Sequence, residues 1–285
     1  MFRRRVGQMS RGVWRGLDRS LGMGRGMGRS LDRVRRTVGT ALSFFLFGLG
    51  GLLLRLTVFP ILDLTIHNRL LKVNLARGII RFSFRTFVEI MRLLGVLRYE
   101  TSGLERLQRE GLLILANHPT LIDTVFLMAF VRQADCIVKQ SLWNHPVTRG
   151  PVRAAGYISN ENGPGLIGDC LTTLANRNNL IVFPEGTRTP SNGVMRFKRG
   201  AANVAVRARC NITPVLIECR PPTLGKGKKW WRVPPSKAHF SIAVQEDIAI
   251  DDFIKTGQSE SLAARQLTDY LQNYFMKATL GHAAA

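Results

Sequence analysis

The sequence predicts an α/β domain preceded by a membrane-associated helical extension, and three observations carry that expectation. From about Tyr99 onward, short apolar runs of strand length alternate with stretches of helical periodicity. Residues 37–54 are eighteen consecutive uncharged positions. The 285 residues hold 41 Lys and Arg against 19 Asp and Glu, a net charge of +22, so the partner surface is expected to be anionic. The length suits one sizeable domain plus an appendage.

Residues 1–36 hold eleven arginines against Asp18 and Asp32 and include GMGRGMGR, which reads as a basic tail, disordered or adsorbed to a surface. A cleaved secretory signal is not expected, because the apolar stretch begins only near Val38.

The segment TVGTALSFFLFGLGGLLL at 37–54 lies at the lower edge of what crosses a bilayer core of about 30 Å. Arg55 interrupts it, and apolar character resumes through Leu62. Arg55, Arg69, Lys72, Arg77, Arg81, Arg85, Arg92 and Arg98 then outweigh Asp63 and Glu89, so both flanks look cytoplasmic by the positive-inside rule. The expectation is a hydrophobic hairpin that dips into the membrane and returns, turning near Gly48, Gly50 and Gly51 or near Pro60; a single span is the alternative.

Residues 75–98 set Arg77, Arg81, Arg85 and Glu89 at four-residue intervals on one helical face, with Ile80, Phe84, Phe87, Met91 and Leu94 on another. A basic amphipathic helix of this kind suits the membrane interface. The alternative is a helix packed on the domain with a solvated face.

Strands are expected at LLILAN, DCIVKQ, GYIS, NLIVFP, ITPVLIEC and HFSIAV, between residues 112 and 244. No internal repeat is visible among them.

The first of these strands runs into Asn117, His118 and Pro119, and here the chemistry begins. Proline suits the first position of a helix and pushes His118 into an extended conformation, so the histidine sits at a strand-to-helix corner. Asp123 then lies about one turn inside the helix, and helical side chains lean toward the N-terminus, which lets its carboxylate reach back to the imidazole. A carboxylate on one ring nitrogen fixes the tautomer and leaves the other free to take a proton from a hydroxyl. The competing reading of a lone histidine before a helix is a cap or a packed core residue.

A second block follows some sixty residues later. NLIVFPEGTRTP is a buried-type strand that opens after Pro184 into a loop carrying Glu185, Gly186, Thr187 and Arg188, and RFKRGAANVA comes next. Arg188 has the planar fork to bind a phosphate bidentately, and Lys198 and Arg199 add charge near the next helix. The competing reading of each is a solvated salt bridge.

Together NHPTLID and FPEGTR resemble the glycerophospholipid acyltransferases, the lysophosphatidate acyltransferase-like enzymes with a His-x-x-x-x-Asp box, over roughly residues 97–245. The resemblance implies a mixed central sheet flanked by helices, with residues 99–285 as the acyltransferase domain and 37–98 as the anchoring helices. It implies direct transfer of a fatty acyl group from a coenzyme A or acyl-carrier-protein thioester to a hydroxyl of a lysophospholipid or related polar lipid. Neither a metal, a resident cofactor nor an acyl-enzyme is expected. His118 is then the base, Asp123 its orienter, and Glu185, Gly186, Thr187 and Arg188 the loop that holds the acceptor. Asn117, Lys198, Arg199 and Asn160 complete the candidate substrate-binding set.

The family usually carries an arginine between the two blocks, thought to contact the acceptor phosphate. Here the matching stretch reads AAGYISNENGPG, with Asn160 or Asn162 in its place, which puts lysophosphatidate itself in question. NHPTLID is also similar to acyltransferases that accompany unusual acyl chains, such as those of aryl-polyene lipids.

GKGKKWWRVPP at 225–235 interleaves lysines with Trp230 and Trp231, a composition suited to the lipid headgroup zone or to an ordinary mobile loop with one indole packed inward. Cys136, Cys170, Cys210 and Cys219 show neither C-x-x-C nor Cys/His ligand spacing and read as free thiols in a reducing compartment. There is no G-x-S-x-G elbow, no H-E-x-x-H and no Gly-rich phosphate loop after a strand. Asn211-Ile-Thr213 matches a glycosylation triplet but falls in an expected buried strand.

Three functions fit: a membrane-bound O-acyltransferase, a nucleic-acid-binding basic protein, and a thioesterase that uses water as acceptor. The second leaves His118 and Asp123 without a role, and the third differs from the first only in what the base activates. The expected location is the cytoplasmic face of the inner (plasma) membrane, with membrane lipid and acyl-CoA or acyl carrier protein as partners and no nucleic acid.

Overall fold

The computed structural model describes the backbone of residues 6–145, 148–163, 165–190 and 192–284, and within that set the side chains from residue 30 to residue 279. Its strands are β1 (Leu97–Ser102), β2 (Leu113–Ala116), β3 (Ala134–Val138), β4 (Ile158–Ser159), β5 (Asn179–Val182), β6 (Ile212–Arg220) and β7 (Ala238–Val244). They form one mixed sheet in the order β1-β7-β6-β2-β5-β3-β4, parallel throughout except for the antiparallel pair β6 and β7.

Both faces of this sheet are buried, which is why its inner strands read as unbroken apolar runs. Ile114 and Ala116 of β2 face one core, with Ile181, Val215 and Phe240. Leu113 and Leu115 face the other, with Leu180, Val182, Ile212 and Leu216. The first core is closed by α3 (Arg69–Leu93), α4 (Asp123–Phe130) and α6 (Arg149–Ala154), the second by α7 (Gly165–Ala175), α8 (Gly200–Ala208) and α9 (Glu260–Ala284). The short α5 (Gln140–Asn144) follows β3. Because β2, β3, β4, β5 and β6 point the same way, their C-terminal ends share one edge of the sheet, where open α/β sheets place their sites.

Three features of the extension bear on the expectation. First, the backbone is helical from Val6, in α1 (Val6–Leu53), where a tail to residue 36 is expected. The side chains of residues 1–29 lie outside the described residues, but Arg36 is fully buried, because its guanidinium finds two carbonyls in a distant loop.

Second, the reversal falls neither at Gly48–Gly51 nor at Pro60. α1 passes through a π turn at Leu54–Val58 into α2 (Phe59–Thr65) without turning back. Proline removes a ladder donor, and the π turn just ahead of it widens the helix where that donor is lost. The chain turns at residues 66–68 instead, where the Asn68 side chain caps α3 by accepting from the Leu71 amide at 3.1 Å.

Third, of the two readings of the amphipathic segment, the helix packed on the domain is the one found. Ala76, Ile80, Phe87, Val88 and Met91 of α3 are buried in the first core. Arg77, expected on a basic face, is also buried. It donates to Asp135 at 2.8 Å and to the Ala155 carbonyl at 2.9 Å. Helix α1 lies back along α3, with Gly39 against Leu94 and Val96 and Phe47 stacked on Phe84 at 5.7 Å. Ser30–Thr65 is long and apolar enough to cross a membrane, and only 11% of its most apolar window is buried, unlike a core helix. Phe45, Leu56, Ile61 and Leu64 form part of its exposed apolar surface.

Candidate active site

The strand-to-helix corner after β2 is held by a turn between Thr120 and Asp123 rather than by a proline-started helix. The regular helix begins at Asp123, not at Pro119. Thr120 stands three residues ahead of it. Its backbone N–H donates to Asp123 Oδ2 at 2.6 Å and its hydroxyl to Asp123 Oδ1 at 2.5 Å. The carboxylate therefore points back along the chain, and His118 Nδ1 meets its Oδ2 at 2.9 Å. With Asp123 as acceptor, Nδ1 carries the hydrogen and Nε2 presents its lone pair.

Asp123 is completely buried, and burial pushes its carboxyl up; the imidazole and the two Thr120 donors pull against that shift. Three donors on one carboxylate hold it in a single orientation. His118 keeps 16% of its side chain exposed, enough for its outer edge to reach a ligand. One face of the ring is covered by Phe183, with centroids 4.2 Å apart and planes 26° from parallel.

The second block is stitched to the first through backbone. Glu185, at the end of β5, accepts from the His118 amide at 3.1 Å and from the Thr189 hydroxyl at 2.7 Å, both on Oε1. Thr189 N–H donates to the His118 carbonyl at 2.7 Å, so both backbone groups of the histidine are held by this loop. Glu185 Oε2 is buried with no hydrogen-bond partner among the described residues, and burial pushes the carboxyl up. Gly186 takes φ of +65°, and a Cβ there would stand 3.1 Å from Lys198 Cε and Nζ. Glycine thus serves both the turn and the close approach of the lysine. Thr187 is half-buried in the same loop.

Arg188 reaches across to the segment after β6, donating through Nη1 to the Leu224 and Gly225 carbonyls at 3.0 Å each. Among the described residues its Nε and Nη2 make no hydrogen bond. The Leu224 carbonyl also accepts from the Leu121 amide at 3.0 Å, so one turn of chain ties Arg188 to the histidine corner.

The remaining candidates separate. Asn117 is 3% exposed, and its amide is committed at both ends to β6, to the Ile217 carbonyl and amide at 2.8 Å each. It joins two strands below the histidine. Lys198 lies over Gly186 and is exposed, and its amide donates to the Pro184 carbonyl at 2.8 Å. Arg199 is exposed at the start of α8. Asn160 follows β4 on the same sheet edge and caps α5, accepting from the Gln140 amide at 2.9 Å. Thr120, Phe183 and Thr189 escaped the motif reading.

All four cysteines are free. Burial pushes Cys210 up to about 11 and Cys170 and Cys219 up to about 12, and it raises Cys136 further. Among the described residues no three His, Cys, Asp or Glu side chains are gathered to hold a metal ion.

Residues 98–218 match the family model described as Acyltransferase. The acl-2 protein of Caenorhabditis elegans, which carries the name 1-acyl-sn-glycerol-3-phosphate acyltransferase, is 35% identical over 128 residues, 40% of this chain and 44% of its own. The 1-acyl-sn-glycerol-3-phosphate acyltransferase of Pseudomonas aeruginosa is 26% identical over 46% of this chain and 53% of its own. The chain spans about half the length of these curated relatives. The crystal structure of the 1-acyl-sn-glycerophosphate acyltransferase PlsC from Thermotoga maritima superposes with a TM-score of 0.68 at 19% identity, over 90% of this chain and 98% of that one, and so shares its fold.

Proposed function

Starting from an acyltransferase-family domain at residues 98–218, we propose that the chain transfers an acyl group from an acyl-CoA or acyl-carrier-protein thioester to a hydroxyl of a lysophospholipid or related polar lipid. The observation that carries this reading is the His118 Nδ1 to Asp123 Oδ2 contact of 2.9 Å, which leaves Nε2 as the ring's remaining nitrogen, in a corner tied to Arg188 through Leu224 and Leu121.

In this reading Nε2 takes the proton of the acceptor hydroxyl as its oxygen attacks the thioester carbonyl. The C–S bond then breaks, and the departing thiolate takes the proton back from the imidazolium, leaving an ester and a free thiol. Asp123 steadies the imidazolium while it exists. General-base catalysis supplies typically about 10²- to 10⁴-fold, and positioning supplies much of the remainder. Arg188 offers Nε and Nη2 to an anionic group on the acceptor, and Lys198 stands beside it over Gly186.

The apolar hairpin supports attachment to one leaflet rather than a crossing. Helix α3 is packed against the domain along most of its length, so α1 and α2 lie beside it, with their exposed apolar surface turned to lipid. The arginine content of the flanks favours the cytoplasmic side.

The test is the full chain in vesicles, incubated with a panel of acyl-CoA and acyl-carrier-protein thioesters and lysolipids and read by mass spectrometry. Wild type is expected to form the diacyl product, and His118→Ala, folded by circular dichroism, to form none. Wild-type turnover by that variant, or release of free fatty acid with the acceptor ignored, would sink the proposal.

A further inference from the structure

The segment from 221 to 237 leaves β6 at the site edge and returns into β7, and neither the acyl-transfer chemistry nor the hairpin accounts for its composition. It carries Lys226, Lys228, Lys229, Arg232 and Lys237 and no carboxylate. Trp230 and Trp231 are 41% and 49% exposed, unusual for indoles in a loop rich in lysine, glycine and proline.

This strap is fastened at both ends. At one end Arg188 holds the Leu224 and Gly225 carbonyls. At the other, Arg36 of α1 donates to the Pro234 and Pro235 carbonyls at 2.8 and 2.9 Å, and its Nε is held by Asp32 at 2.9 Å. Between them Trp230 packs against Phe44 of α1 at 5.8 Å and meets Trp231 edge-on at 5.6 Å, while Lys229 stands 5.0 Å over the Trp231 ring. Beside Phe44, Phe45 is 64% exposed, so the indoles continue the bare apolar surface of the helix.

We propose that residues 226–232 form a second membrane contact, a surface for the headgroups of anionic phospholipid, contiguous with the apolar face of α1 and set at the lip of the site. Indoles settle at the level where hydrocarbon meets water, and lysines beside them meet negative headgroups. A single-stranded nucleic acid would also stack on exposed indoles among lysines. Here, however, Trp230 is backed by an apolar helix, and a strand laid on the pair would run onto bare leucine and phenylalanine. The inference concerns docking alone, and its test reads no turnover, so it stands or falls apart from the reaction.

The full chain is reconstituted in vesicles of phosphatidylcholine alone, or mixed with phosphatidylglycerol, each doped with lipid brominated near the headgroup. The Trp231 contribution is the quenching lost in Trp231→Phe. It is expected to be present in wild type, larger in the anionic vesicles and reduced by salt. A basic residue near an anionic surface strengthens association about fivefold. A K226Q/K228Q/K229Q variant should therefore lose most of the difference between the two vesicle types while circular dichroism stays unchanged. The proposal is overturned if Trp231 is unquenched in both, if the triple variant responds to anionic lipid as wild type does, or if a fluorescent single-stranded oligonucleotide binds wild type and is released by the same three substitutions.

Discussion

The imidazole of His118 lies face to face with the phenyl ring of Phe183, 4.2 Å between centroids and 26° from parallel. One residue belongs to the corner after β2 and the other directly follows β5, so neighbouring strands supply the imidazole and the plate behind it. An aromatic face attracts a cation by about 0.5–1 kcal/mol at an exposed site, and the imidazolium is the cation formed in the proposed step. Phe183→Leu is expected to lower kcat about two- to fivefold with acceptor KM unchanged, and Phe183→Trp to retain it. A KM change with kcat intact, in steady-state assays, would assign the ring to substrate binding.

Thr120 is the group whose removal most directly loosens the Asp123 carboxylate. Thr120→Val keeps the shape and the backbone donor but leaves Asp123 Oδ1 buried without its hydroxyl. The expected cost is about 1–3 kcal/mol of stability, read from urea unfolding, together with a fall in kcat. Thr120→Ser should restore both.

The proposed reaction gives Arg188 a second duty beside its structural one, and its replacement should show both. The motif alone predicts that Arg188→Ala raises the acceptor KM. The structure adds that Leu224 and Gly225 lose their clasp, and with it the tie to Leu121 at the histidine corner. Turnover is therefore expected to fall along with affinity. Unchanged kcat at saturating acceptor would restrict the residue to binding.

Far from the site, Arg109 grips Asp247 through paired contacts of 2.6 and 2.9 Å, and that hydrogen bonding holds the Asp247 carboxyl below the usual range. A carboxyl depressed in the folded state adds stability above its unfolded value of about 3.9, and this is lost as pH falls through the folded value. Half-exposed pairs contribute on the order of 1 kcal/mol or less. Asp247→Asn should thus be less stable than wild type at neutral pH and equal to it in strong acid, by denaturant titration at each pH.

Sheet strands buried on both faces announce themselves as apolar runs, and β2, β3, β4, β5, β6 and β7 were all legible for that reason. β1 was not, because Leu97–Ser102 is an edge strand with Arg98 and Glu100 along it and only Leu97 buried, so it read as the end of the preceding helix. The histidine, its aspartate and the arginine loop were legible because their chemistry is local and their spacing short. Arg36 was hidden, since its partners Pro234 and Pro235 stand 198 and 199 positions away and nothing in eleven crowded arginines marks that one as buried. Arg77 was misleading in the same way: a regular stripe of basic residues conceals the one whose partner, Asp135, lies inside the domain.

Under the proposed function, the hairpin formed by α1, α2 and α3 has a kinetic consequence. A catalyst lashed alongside one leaflet meets its acceptor by lateral diffusion in two dimensions. The quantity that saturates it is then the mole fraction of acceptor in that film, not the amount per litre of suspension. Diluting the vesicles in buffer leaves the rate per enzyme untouched, while diluting the acceptor with inert lipid slows it.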